Sequence, residues 1–332
     1  MTQVLADSYG RVATDLRVSL TDRCNLRCTY CMPPEGLEWL PKPELLTDDE
    51  LNQLIRIGVT MLGIDEVRFT GGEPLLRRGL VGVIGATTAL SPRPKTALTT
   101  NGIGLTRTAA PLAEAGLDRV NVSLDTLRPD VFEQLARRRR LDDVLGGLAG
   151  AAEAGLTPVK VNTVLMRDIN DVEAPDLLRY CLDHGYQLRF IEQMPLDAQH
   201  NWRRDTMITA DEILDRLSAD FHLEAADSET RGSAPAELFY VDGGPETVGV
   251  IGSVTRPFCG ACDRVRLTAD GQIRNCLFAR EESDLRSLLR EGASDERIAE
   301  SWRAAVATKM PGHGINDPSF LQPARPMSAI GG

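Results

Sequence analysis

The chain has 332 residues, 42% hydrophobic and 26% charged, an ordinary globular composition with ample material for a buried core. Its formal net charge of -11 argues against a general nucleic-acid or membrane-surface binder, although an anionic small substrate needs only a local basic pocket. No segment approaches the roughly 18 unbroken apolar residues of a membrane span. The start, MTQVLADSYGRVATDLR, lacks an apolar signal-peptide core, so a cytoplasmic location is expected.

In chain order, short β-branched or alternating runs precede helical patterns. DLRVSL (15–20) comes first, followed by DRCNLRCTYC (22–31), which spaces Cys24, Cys28 and Cys31 as C-x3-C-x2-C. A helix is predicted to open at Thr47, where Thr47 and Glu50 form a capping box ahead of Leu51, Leu54, Ile55 and Val59. DEVRFT (65–70) then runs into TGGEP (70–74). TALTT (96–100), a helix over 104–115, RVNVSL (119–124) and a helix over 141–154 continue the rhythm. VKVNTVL (159–165), a helix over 172–184 with Cys181 as a buried structural thiol, and QLRFIEQ (187–193) complete it. Six β-then-α units imply a parallel sheet with right-handed crossovers, short of the eight that close a standard barrel. The expected fold class is therefore α/β, an incomplete (β/α)6 TIM-like barrel.

Beyond residue 195 the rhythm changes. A capped helix is predicted from Thr209, with Glu212 completing its box, then hairpin-like runs near 237–254 and 264–274 and two helical stretches across 282–308. The tail PGHGINDPSFLQPARPMSAIGG reads as irregular. The expected division is a partial barrel over 1–230 and a C-terminal α+β layer over 231–332 that closes the open side.

Cysteines in a cytoplasmic protein are metal ligands or redox groups more often than disulfides. Six of the seven fall into two triplets, Cys24, Cys28, Cys31 and Cys259, Cys262, Cys276. Four-iron clusters and structural zinc sites close with four ligands, so each triplet leaves one position open. Other polar residues gather at the carboxyl ends of the predicted strands: Thr99, Thr100 and Asn101, then Ser123 and Asp125, then Glu192 and Met194, with Lys160 inside the fifth. Arg264 and Arg266 stand two apart and project from one strand face. Arg189 is left between a site role and a pairing with Glu192 or another acid. The run from Arg137 to Arg140 reads as a solvated segment, and His184, His200, His222 and His313 have no metal-ligand spacing.

The first triplet, with Tyr30 before its third cysteine and GGEP after the next strand, resembles the radical S-adenosylmethionine enzymes. FCGACDRVRLTADGQIRNCLF (258–278), RFIEQMP and the terminal Gly-Gly extend the resemblance over nearly the whole chain. They narrow it to the branch that cyclises GTP early in molybdenum-cofactor biosynthesis.

The resemblance implies two 4Fe-4S clusters, one on each triplet. It implies S-adenosylmethionine on the open iron of the first, beside Tyr30, Gly72, Ser123 and Met194. GTP would bind through Arg17, Arg68, Thr99, Lys160, Arg264, Val265 and Arg266, its guanine at the second cluster. A deoxyadenosyl radical would take hydrogen from C3′, and the carbon radical would close on C8. Arg17, Gly331 and Gly332 are placed in catalysis, the glycines threading into the barrel. The same resemblance implies flavodoxin or ferredoxin as electron donor and hand-over to cyclic pyranopterin monophosphate synthase. No nucleic acid or membrane partner is expected, and the assembly would be a monomer or homodimer. Two readings compete: a radical enzyme modifying a peptide with an auxiliary cluster, and a non-enzymatic electron carrier or zinc module.

Overall fold

A computed structural model describes residues 4–227 and 231–331, so the expectation for Gly332 lies outside the described residues. Six strands, β1 (Asp15–Ser19), β2 (Glu66–Thr70), β3 (Lys95–Thr100), β4 (Arg119–Ser123), β5 (Lys160–Val164) and β6 (Gln187–Ile191), pair in that order and all in parallel. The helices between them are α1 (Asp48–Leu62), α2 (Leu80–Thr88), α3 (Leu105–Glu114), α4 (Pro129–Ala136), α5 (Leu141–Glu153) and α6 (Ala174–Asp183). β1 and β6 do not pair with each other, which leaves the barrel open.

Local chemistry explains the elements. The predicted box at α1 is formed: Thr47 Oγ1 accepts from the Glu50 N–H at 3.2 Å, and the Glu50 carboxylate accepts from the Thr47 N–H at 2.7 Å. Removing such a cap costs about 1 kcal/mol. Gly63, at φ +80°, ends the helix in the left-handed conformation. α2 and α4 were not expected. The first is an almost wholly apolar run without an amphipathic period, and the second lacks a capping side chain, its start marked by Pro129 and Asp130 in the first turn.

Strand alternation separates two environments. Leu16, Val18, Val67, Phe69, Val120, Val161 and Phe190 are buried in the main apolar core with residues of the surrounding helices. The intervening Arg17, Arg68, Thr99, Asn162 and Arg189 line a cavity. The barrel is thus greasy outside and polar within.

The C-terminal third covers the open side by joining the sheet. Its strands are β7 (Leu223–Ala225), β8 (Glu237–Val241), β9 (Thr247–Ile251), β10 (Arg264–Leu267), β11 (Gln272–Arg274) and β12 (Ser283–Asp284). β10 pairs in parallel with β1, and β9 in parallel with β6. The sheet of 12 strands runs β12-β11-β10-β1 to β6-β9-β8-β7. Both predicted hairpins, β8 with β9 and β10 with β11, are present. The remaining helices are α7 (Ala210–Ser218), α8 (Leu285–Arg290), α9 (Asp295–Ala307) and α10 (Met327–Ile330), the last a single turn in the otherwise irregular tail.

α9 lies on α1. The buried Trp302 ring comes so close that a Cβ on Gly58 would stand 3.3 Å from it, and truncating such an indole to Ala costs about 3–5 kcal/mol. Among the described residues no helix is long and apolar enough to cross a membrane.

Candidate active site

The loop after β1 carries the first triplet, and its neighbours hold it on three sides. The Gly72 N–H donates to the Thr21 carbonyl at 2.7 Å, and the Glu73 N–H to the Arg23 carbonyl at 2.8 Å. A Cβ at Gly72 would lie 2.4 Å from the Arg23 carbonyl oxygen, so the GGEP turn tolerates no side chain there. The buried Glu73 carboxylate accepts from Thr100 Oγ1 and the Asn101 N–H, both at 2.7 Å, and the Asn101 amide reaches Asn25 at 2.7 Å. From the third side, the last carbonyls of α4, Leu135 and Ala136, accept from the N–H groups of Thr29 and Arg27. Arg137 adds bonds to the carbonyls of Arg27 and Met32 at 3.1 and 2.9 Å. The arginine run is therefore not uniformly solvated: its first member braces the cysteine loop, while Arg139 and Arg140 pair with Glu133 and Asp143.

Burial dominates the thiols here. It pushes Cys31 up to about 12 and Cys28 well above the usual thiol range, and neighbouring thiols push the same way. A bound cation removes that penalty, since coordination deprotonates a thiol outright. Among the described residues no three Cys, His, Asp or Glu side chains converge on a single ion. Cluster ligands bind separate irons and do not need to converge. Tyr30 donates to Asp125 at 2.6 Å, and Tyr30, Gly72, Thr99 and Ser123 line the pocket beside this triplet.

A central cavity opens from that pocket and is lined by Arg17, Arg68, Arg189, Arg264 and Arg266. Sheet register aligns three of them, because Arg266 stands opposite Arg17 and Arg17 opposite Arg68. Asp15 is 3.7 Å from both Arg17 and Arg68, and Glu66 is 2.8 Å from Arg68. These acids leave cationic charge in excess. The Nε groups of Arg17 and Arg68 are buried without hydrogen-bond partners. Burial, then Arg68, drives Arg17 well below its ordinary range; burial, then Arg264, takes Arg266 to about 10. Burial followed by Arg189, Arg119 and Arg68 brings Lys160 down to about 7.

Arg189 belongs to this wall, with Arg68, Arg119 and the acid Glu66 as charged neighbours. It does not pair with Glu192, whose buried carboxylate instead accepts from the N–H groups of Ala210 and Val254, each at 2.7 Å, and of Thr255 at 2.9 Å. Val265 points the other way, into the apolar core between Arg264 and Arg266.

The second triplet faces the cavity from the opposite side, and Met194, Phe258, Arg264 and Arg266 line both spaces. Met194 does not line the pocket beside the first triplet. Arg11 ties the Cys259 carbonyl at 2.8 Å to the Pro311 carbonyl at 2.9 Å. Buried Lys309 donates to Cys262 Sγ at 3.3 Å. Burial alone would raise the Cys262 thiol, but Arg264 and Lys309 hold it below its usual value. His313 lines this pocket as well; its Nε2 is 3.0 Å from the Ser253 carbonyl and its Nδ1 accepts from the Ile315 N–H at 3.1 Å. Both ring nitrogens are thus occupied, which removes His313 as a fourth ligand. Sequence reasoning missed Arg11 and Lys309, and neither carries a local motif.

The tail enters the barrel. Gly331 is buried at φ +88°, and a Cβ there would stand 2.7 Å from Thr70 Cγ2 and 3.3 Å from Ser19 Cβ. Its carbonyl accepts from Arg266. Met327 lines both the central cavity and the first pocket, and the Ser328 N–H and hydroxyl face the Cys31 sulfur.

An open parallel barrel with one cysteine triplet at its carboxyl end matches the Radical SAM superfamily over residues 18–181, and the description Molybdenum Cofactor Synthesis C covers 186–315. Streptococcus suis SuiB shares the fold, with TM-score 0.61 over 92% of this chain and 68% of that one at 15% identity. These features define a radical S-adenosylmethionine enzyme, with the S-adenosylmethionine and iron–sulfur cofactors of that class. The GTP 3′,8-cyclase of Streptomyces coelicolor is 70% identical over 329 residues, covering 99% of this chain and 96% of that protein. The enzyme of that name from Mycolicibacterium smegmatis is 63% identical over 332 residues, covering 99% and 92%. The chain belongs to the GTP 3′,8-cyclase family.

Proposed function

We propose that the chain converts GTP to (8S)-3′,8-cyclo-7,8-dihydroguanosine 5′-triphosphate, an early step of molybdopterin biosynthesis. The observation that carries this reading is one cavity system with a cysteine triplet at each end and five arginines between. The residues suit the groups. Three clustered thiols with one position unfilled favour a 4Fe-4S centre that also takes a cofactor, and buried guanidinium N–H groups without partners favour an anion.

Cys24, Cys28 and Cys31 would hold the first cluster, with S-adenosylmethionine against Tyr30, Gly72 and Ser123 and reaching Met194 through the central cavity that Tyr30 and Ser123 also line. Together these groups supply, when bound, the electron and the adenosyl radical that removes hydrogen from C3′. Cys259, Cys262 and Cys276 would hold a second 4Fe-4S cluster whose open position takes guanine. Arg17, Arg68, Arg264 and Arg266 bind the triphosphate through their forks, Lys160 adds a proton-bearing cation, and Thr99 contacts the nucleoside. Gly331, fixed by Arg266, brings the backbone against the cavity and keeps water out. Three separated anchors fix C3′ and C8 for ring closure, and positioning of this kind supplies a large share of catalysis. Flavodoxin or ferredoxin as reductant, cyclic pyranopterin monophosphate synthase as consumer, a cytoplasmic location and a monomer or homodimer belong to the same proposal, supported by family membership.

Anaerobically reconstituted protein given GTP, S-adenosylmethionine and dithionite should form deoxyadenosine and the cyclic nucleotide together, identified by mass and carbon-13 NMR. Deoxyadenosine release with GTP recovered unchanged would reject the substrate.

A further inference from the structure

We propose that Lys309 is the counter-charge of the second iron–sulfur site, a positioning residue that sets how readily that site accepts an electron. The inference rests on the reading of Cys259, Cys262 and Cys276 as ligands of a 4Fe-4S cluster.

Lys309 lies two residues beyond α9 and is only 4% exposed. Its ammonium donates to the Arg264 carbonyl at 2.9 Å, the Cys262 carbonyl at 3.1 Å and Cys262 Sγ at 3.3 Å. Among the described residues no carboxylate pairs with it. An ammonium buried without an opposite charge is strongly destabilising. Among the described residues, the anionic partner within its reach is the sulfur of Cys262.

A single thiolate is a modest partner, but a cluster is a larger one. Three thiolates on a four-iron core leave a net negative group, and an electron from an external reductant makes it more negative. A fixed cation beside one ligand stabilises the reduced form more than the oxidised form, and hydrogen bonds to ligand sulfur act in the same direction. Arg264 and Arg266 are nearby, yet they line the cavity and are available to substrate. Lys309 does not line it and approaches Cys262 from the protein side. At the first triplet the charges are mixed: the carboxyl groups of Glu73 and Asp125 face Cys24 and Cys28, and Arg27 bonds the Cys24 carbonyl at 2.8 Å, but among the described residues no ammonium or guanidinium bonds a sulfur there. The sulfur-bonded cation is thus a feature of the second site, and the surroundings of the first are the more acidic.

The test is an EPR-monitored redox titration of the reconstituted protein, with Cys276→Ala used to assign the signals. Lys309→Gln keeps N–H donors for the two carbonyls but removes the charge; Lys309→Arg keeps the charge. In Lys309→Gln the second cluster should become about tenfold harder to reduce, a downward shift of about 59 mV for one electron. The first cluster should not move, and Lys309→Arg should stay near the unsubstituted protein. Loss of the second cluster from the Gln variant but not the Arg variant also supports the proposal. An unshifted second potential in Lys309→Gln, or loss of that cluster from both variants, overturns it and leaves Lys309 a strut for the loop. Iron for only one cluster in the unsubstituted protein would instead reject the ligand reading beneath it.

Discussion

The Arg266 guanidinium holds the carbonyl of Gly331, 65 residues further along the chain. Arg266 also lines the central cavity and the second-triplet pocket, so the tail is fixed by a side chain that faces the substrate space. Gly331→Ala should disturb this link. Its Cβ would stand 2.7 Å from Thr70 Cγ2 at a φ of +88°. Strain of about 1–3 kcal/mol on the closed tail should slow cyclisation roughly tenfold to a hundredfold in single-turnover assays. Iron content and melting temperature should stay the same. An unaltered rate would remove the tail from the reaction.

Charge and base can be read separately. Arg68→Ala and Arg264→Ala should weaken GTP far more than guanosine in equilibrium binding, because the lost bonds go to phosphate. A charge-assisted bond contributes about 1.5–3 kcal/mol, so a loss of roughly tenfold to a hundredfold is expected. Equal weakening of both ligands would show that these arginines do not read the triphosphate.

Lys160 is expected to make GTP binding pH-dependent. Burial, with Arg189, Arg119 and Arg68, holds the free-site ammonium at about 7. A triphosphate favours the charged form and raises that value, so binding takes up a proton above pH 7. The sign follows: affinity is greatest below the free-site value and falls as pH rises through it, until the bound-state value is passed. Titration calorimetry in buffers of different ionisation enthalpy should show proton uptake near pH 8. Lys160→Arg, which does not titrate in this range, should abolish the uptake beyond that of the nucleotide itself. Equal uptake in the two proteins would place Lys160 away from the phosphates.

The two triplets should separate in function. Cys28→Ala is expected to abolish deoxyadenosine formation. Cys276→Ala should keep the first cluster and some reductive cleavage while cyclisation stops. Normal product formation by Cys276→Ala would leave the second site without a role in substrate handling.

Much of this was legible because local rules carried it. The six strands announce themselves by alternation, and the capping boxes at Thr47 and Thr209 are both formed. Period two disfavours the Arg189–Glu192 pair as well: the two residues are an odd number apart, so in an extended segment their side chains diverge. The row of Arg266, Arg17 and Arg68 was hidden for another reason. It exists only because β10 returns to pair with β1, and no local pattern fixes that register. Lys309, Arg11 and Ser328 share this difficulty, since each acts on a cysteine segment remote in sequence.

The continuity of the sheet has a consequence for how such a protein can be divided. β10 and β9 occupy the outer edges of β1 and β6, so a fragment ending near residue 230 would bare the β1 edge from Asp15 to Val18 and the β6 edge from Arg189 to Ile191. Bared edge stretches of this kind recruit other chains into aggregates. The second cysteine site is therefore not a detachable cassette. Recombination between relatives would have to exchange β1 with β10, and β6 with β9, as matched pairs.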